Sequence, residues 1–204
     1  MHTGVLLING QKMSKSLKNF ITIDEFLSVY NANALRYLVL SHHYRSPIDY
    51  TDNAARAAND AMRLVERFVA YSAFVAGAKK SGKRFSLAQS QKALRAALEN
   101  DFNTPAALAE IFRVMSHVNK NAFSLRSADV LAARSWVIQM LAALGFILSK
   151  TQKIPTTVSN WAREREICRR NKQFMQADTL RKKIQAVGYG VDDTPAGPFV
   201  YFQG

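Results

Sequence analysis

Cysteine is almost missing from this chain. The single Cys168 excludes an internal disulfide framework and fits a reducing compartment, which we read as the cytoplasm. No apolar run approaches the roughly 18 residues that a membrane-spanning helix needs, and no charged, apolar, small-residue progression marks a secretion signal, so no membrane partner is expected. No group of His, Cys and Glu has metal-ligand spacing. Internal repeats and low-complexity tracts are also absent. Acidic residues are scarce, 15 against 28 Lys and Arg, for a net charge of +13. What is present is globular: 204 residues, 48% hydrophobic and 10% aromatic, enough for a core in one or two domains. A positive excess of this size points to a polyanionic partner, because neutralising phosphates releases their counterions. Solubility alone is the competing account.

Along the chain, Val5-Leu6-Leu7-Ile8 ends at Asn9-Gly10, the pattern of a strand and a turn. Thr22 or Asp24 can cap a helix carrying Phe26, Leu27, Tyr30, Ala34, Tyr37 and Leu38 and ending near His42-His43. Pro47 breaks the pattern, and Asp49 or Thr51 can open the next helix. Residues 51–149 read as an antiparallel helical bundle. Its stripes are Leu64, Phe68, Tyr71 and Val75, then Val65, Val69 and Ser72, then Leu108, Ile111, Phe112, Met115 and Val118. A shorter helix holds Leu87, Leu94 and Leu98, and Trp136, Met140, Leu141 and Leu144 face inward from the last one. Residues 150–157 read as a linker and 158–200 as a small helical unit. There Val158, Trp161 and Cys168 share one face, Asn171 is the expected left-handed cap, and Phe174 to Val187 line a second helix stopped by Gly188. Residues 201–204 read as a tag remnant and are set aside.

The densest chemistry lies in Lys12-Met13-Ser14-Lys15-Ser16, two ammonium groups and two hydroxyls after Gly10. Such a loop can stabilise charge moving between phosphate oxygens without forming a bond. A basic surface turn is the plainer reading. The order K-M-S-K-S, however, resembles the signature loop of class I aminoacyl-tRNA synthetases. Its company is specific: Leu17 to Ile23, Asn33-Ala34-Leu35-Arg36-Tyr37, Ser41 to Tyr50, Asp101-Phe102-Asn103-Thr104-Pro105, and Asp192 to Gly197. In this order they resemble the C-terminal half of the cysteinyl-tRNA synthetase family.

The resemblance implies a mainly α fold, with the end of an α/β catalytic domain in residues 1–50, then the bundle, then an anticodon-binding domain. It implies ATP, with Mg, as substrate, Lys15 as the principal ATP contact and Lys12, Met13, Ser14 and Ser16 in support, Met13 as an apolar anchor. Cysteine tRNA and cysteine are the implied partners. By this resemblance the anticodon contacts fall on Arg169, Phe174, Asp178 and Asp193, with Phe174 as stacking ring and the carboxylates accepting from base amino groups. Read without it, Asp178 pairs with Arg181 or Lys182 on a helix, and Asp193 is a turn residue. Asn33 departs from the aspartate of the Asp-Ala-Leu-Arg box, which leaves a capping or hydrogen-bonding role. Residues 42–49 read as a hinge between catalytic core and bundle. No HIGH-type tetrapeptide and no zinc ligand set occur, so zinc and most of the cysteine pocket are expected in an N-terminal half, and this piece alone is expected to form no adenylate. Two alternatives are a stand-alone, non-catalytic RNA-binding module and a cysteine:amino-sugar ligase of the same superfamily; the Arg169 to Gly197 segment speaks against the latter.

Overall fold

The computed structural model describes residues 3–14, 16, 19–78, 81–148 and 153–203. Its N-terminal part is a three-stranded sheet in the order β2-β1-β3. Strand β1 (Leu6–Ile8) pairs antiparallel with β2 (Gln11–Lys12) through a two-residue turn, in which Asn9 (φ 50°) and Gly10 (φ 79°) both adopt positive φ. Asn-Gly tolerates that conformation, which gives the hairpin its tight register. Strand β3 (Ile48–Tyr50) lies parallel to β1, Leu6 opposite Ile48 and Ile8 opposite Tyr50. The sequence reading placed no strand there.

Helix α1 (Ile23–Val29) starts from a capping box in which Thr22 and Glu25 satisfy each other's backbone N–H groups. The single helix expected from here to His42 is two helices. Tyr30 and Asn31 are extended, and the Asn31 side chain accepts from Ala34 N at 2.9 Å, starting α2 (Ala32–Leu40) afresh. The reason is local: a good N-cap residue competes with helix continuation.

Helix α3 (Asp52–Ala78), with Thr51 Oγ1 accepting from Ala54 N, is the long strut of the bundle, about 40 Å by its rise per residue. Helix α4 (Ala88–Glu99) packs on α5 (Thr104–Asn121), and α5 and α6 (Ser127–Ala143) pack against α3. Asn103 caps α5, its side chain accepting from Ala106 N, and Pro105 lies in its first turn. The core contains Val65, Phe68, Ile111, Val118, Val137 and Leu141, each 1% exposed or less. Leu64, placed in a stripe by periodicity, is 55% exposed.

The C-terminal unit has helices α7 (Thr156–Arg170) and α8 (Phe174–Ala186), and then a hairpin of β4 (Tyr189–Thr194) and β5 (Gly197–Phe202) with Val191 opposite Val200. It is therefore helix-and-hairpin where the sequence reading had helices only. Tyr201 and Phe202, set aside there as a tag remnant, are the last residues of β5. The left-handed residue between the helices is Lys172 (φ 59°), while Asn171 keeps φ −84°. Phe174 opens α8 at 60% exposure instead of lining the core. The unit is docked on α3: Phe199 meets Tyr71 and Phe74 at ring distances of 5.1 and 5.3 Å, and Arg67 pairs with Asp192 while lying 4.2 Å above the Tyr201 ring. Among the described residues no helix is long and apolar enough to cross a membrane.

Candidate functional sites

The loop with Lys12, Met13, Ser14 and Ser16 leaves the sheet at β2 and is held at both ends by one side chain. Asn19 Oδ1 accepts from Ser14 N at 2.9 Å, and Asn19 Nδ2 donates to Lys12 O at 3.1 Å. The hydroxyls of Ser14 and Ser16 lie 2.7 Å apart. Gly10 N donates to Asp49 Oδ1 at 3.0 Å, tying the turn below the loop to β3. Lys12 is exposed, and Met13 is 38% exposed with its backbone N bonded to Leu6 O, so its side chain is no deep anchor. Lys15, the principal ATP contact expected, lies outside the described residues, as do Leu17 and Lys18. The loop offers hydroxyl donors and exposed positive charge on a short, tethered arch, which suits phosphate oxygens. Sequence reading did not single out Asn19 as its organiser.

The junction is clamped on Asp101. Tyr44 Oη donates to Asp101 Oδ1 at 2.6 Å, Arg45 Nε lies 2.8 Å from Oδ2, and His43, stacked on Tyr44, comes within 3.9 Å. The Tyr44 hydrogen bond, then the Arg45 guanidinium, hold the Asp101 carboxyl below the usual carboxylate range. Asp101 and Phe102 both take positive φ to present these groups. His42 Nδ1 faces Leu38 O at 2.9 Å and lies 3.3 Å from the Ser41 hydroxyl, which itself donates to Leu38 O. Among the described residues no group of three or more His, Cys, Asp or Glu could hold a metal.

In the C-terminal unit the four expected residues separate into two kinds. Asp193 is gripped from α7: Arg165 Nη1 donates to Oδ1 at 2.6 Å, Arg165 Nη2 to Oδ2 at 3.2 Å, and Arg169 Nη1 lies 3.4 Å from Oδ2. Arg165 is 3% exposed, and its Nε has no hydrogen-bond partner. Its two donors, helped by the charges of Arg169 and Arg181, hold the Asp193 carboxyl low. Asp193 thus neutralises a buried guanidinium as well as facing solvent. Sequence reading missed Arg165. Its signal was the spacing Val158, Ala162, Arg165, Cys168, which puts an arginine on the apolar face of α7. Phe174 and Asp178 are different: both are exposed, four residues apart on one face of α8, and Arg181 continues that face toward Asp193. Asp178 forms no ion pair with Arg181 or Lys182 among the described residues. A bare carboxylate beside a bare ring, on a chain of this charge, suits a base edge and a base face.

Two family models match the chain. One is described as the tRNA synthetases class I (C) catalytic domain, over residues 1–60, and the other as the DALR domain, over residues 93–149. Curated relatives include the cysteine–tRNA ligase of Baumannia cicadellinicola, 32% identical over 97% of this chain and 44% of that protein. The cysteine–tRNA ligase of Haemophilus influenzae is 33% identical over 97% and 43% respectively. The chain therefore spans less than half the length of these relatives. Among solved structures, the Agrobacterium radiobacter K84 agnB2 LeuRS–tRNA–LeuAMS complex superposes with a TM-score of 0.58 at 22% identity, over 72% of this chain and 22% of that one; this likeness shows the fold.

Proposed function

Since the chain belongs to the cysteine–tRNA ligase family of class I synthetases and matches its C-terminal half, we propose that it supplies that ligase with two working surfaces. The first is the ATP-facing loop Lys12 to Ser16, with Lys15 steadying the pyrophosphate as the aminoacyl-adenylate forms and the Ser14 and Ser16 hydroxyls donating to phosphate oxygens. Mg accompanies the ATP, and cysteine, with the zinc that selects its thiol, is held by residues outside this chain. The second surface reads the anticodon of cysteine tRNA. One observation carries it: the solvent-facing Phe174 and Asp178 stand on one face of α8 without ion pairs, leading to the Asp193–Arg169 pair. Stacking on Phe174, base amino groups on Asp178, and an Arg169 that can swing from Asp193 to a base edge or phosphate together fit an unstacked RNA loop.

The test is binding of this chain to cysteine tRNA and to the same tRNA with its anticodon replaced. The expected loss on replacement is about tenfold or more, the worth of one or two base-edge contacts. Equal affinity for the two would leave a non-specific RNA-binding module as the better account.

A further inference from the structure

The fold contains a cleft that neither working surface uses. Where the C-terminal hairpin docks on α3, a cavity of about 800 Å³ opens between the two units, within the size range of ligand sites. Its apolar wall includes Phe74, Ala162 and Phe199. Its polar lining carries Arg63, Arg67 and Arg163 against a single carboxylate, Glu66, beside Arg63. Arg67 is already committed, paired with Asp192 and laid on Tyr201. Arg63 and Arg163 have no ion pair or hydrogen bond among the described residues, although they come from different units and face one cavity. Arg163, and Arg63 with Glu66 nearby, over an apolar wall match a ligand with a flat apolar body and an anionic link, which is the chemistry of a nucleotide.

We propose that this interdomain cleft is a second RNA subsite, taking one unstacked nucleotide with its base against the Phe74–Phe199 wall and its phosphate between Arg63 and Arg163. This rests on the reading of the chain as an RNA-binding protein and adds to it a contact that spans both units. Because the two arginines belong to different units, a nucleotide bound there would also resist their separation.

Two measurements on the 204-residue chain decide it. In the first, binding of cysteine tRNA to Arg63→Glu/Arg163→Glu is compared with Lys92→Glu/Lys120→Glu, which removes the same charge from exposed positions on α4 and α5. The cleft variant is expected to lose about tenfold more affinity than the control, and equal losses overturn the subsite. In the second, wild-type chain is photo-crosslinked to cysteine tRNA carrying 4-thiouridine, and the adducts are mapped by mass spectrometry. Adducts within residues 63–74, 159–163 or 198–203 are expected; adducts confined to α8 and to residues 165–170 of α7 overturn the proposal. Uridine 5′-monophosphate serves as the contrast. If it saturates the cleft while tRNA binding is unmoved by the variant, the site takes free nucleotides and the RNA proposal fails. Absence of tRNA binding by the wild-type chain would instead overturn the functional reading beneath it.

Discussion

Asn33 and Ile147, 114 residues apart, hold each other by two hydrogen bonds: Asn33 Nδ2 donates to Ile147 O at 2.7 Å and Ile147 N donates to Asn33 Oδ1 at 3.0 Å. The amide thus acts as a short strand-like partner that fixes the chain leaving α6 against α2. A carboxylate at this position could accept from Ile147 N and could not donate to Ile147 O. The amide at this position therefore has a local meaning, which is hydrogen bonding between α2 and the chain leaving α6.

Asn33→Asp is accordingly expected to destabilise the chain by about 1 kcal/mol, the net worth of one lost hydrogen bond with its acceptor still facing water. Thermal unfolding followed by circular dichroism measures it. An Asn33→Asp melting temperature at or above the wild-type value would show that the pair contributes nothing.

How far the sequence predicts these contacts depends on the range of each one. The buried stripes of α3 and α5 follow from a 3.6-residue period, and Thr22 caps α1 because its partner Glu25 is three residues away. Strand β3 has only three residues and exists because β1, some 40 residues earlier, lies beside it; nothing within Ile48-Asp49-Tyr50 announces that. The hairpin of β4 and β5 lies in a segment read as part of a helical unit, and its last two residues, Tyr201 and Phe202, fall in the stretch read as a tag remnant. The candidate site divides in the same way. Phe174 and Asp178 are named only through the family resemblance, whereas the Arg165 grip on Asp193 crosses 28 residues and turns an expected turn residue into a counter-ion.

That grip sets the acid response. The Asp193 carboxyl is held low in the folded state, first by its Arg165 hydrogen bonds, and the same direction applies to Asp129 through Arg126 and to Asp101 through Tyr44. A carboxyl depressed by folding contributes stability that is complete above its ordinary range and is lost as the pH falls through the lowered folded pKa. Stability should therefore hold from neutral pH down to the ordinary carboxylate range and fall below it. Asp193→Asn should flatten part of that fall. At neutral pH it should cost about 1–3 kcal/mol, the range for leaving a buried polar group badly paired, discounted because Asp193 itself is half open to water. Urea unfolding of both proteins at neutral and acid pH reads this, and an unchanged pH profile in Asp193→Asn would remove Asp193 from the account.

For the loop proposed to face ATP, Lys15→Ala in a full-length ligase bearing this C-terminal portion should lower ATP–pyrophosphate exchange by about 100-fold or more while leaving tRNA affinity unchanged. Asn19→Ala should lower exchange less, because it loosens both ends of the loop without removing charge. Exchange at the wild-type rate in Lys15→Ala would show that the loop does not handle phosphate.

The proposed anticodon face yields the sharpest contrast, because its two carboxylates have different surroundings. Phe174→Ala should cost about 1–3 kcal/mol of cysteine tRNA binding through lost stacking. Asp178 supports no ion pair among the described residues, so Asp178→Ala should leave the melting temperature unchanged. It should weaken cysteine tRNA by about 1–3 kcal/mol, while an unrelated tRNA binds the same or slightly tighter once a repelling charge is gone. Asp193→Ala should weaken binding and also lower stability, since Arg165 would be left buried without its counter-ion. Filter binding to both tRNAs, with melting curves for each variant, separates the two residues. If Asp178→Ala tightens both tRNAs equally, that carboxylate is a surface charge, and recognition must rest on Phe174 and the arginines alone.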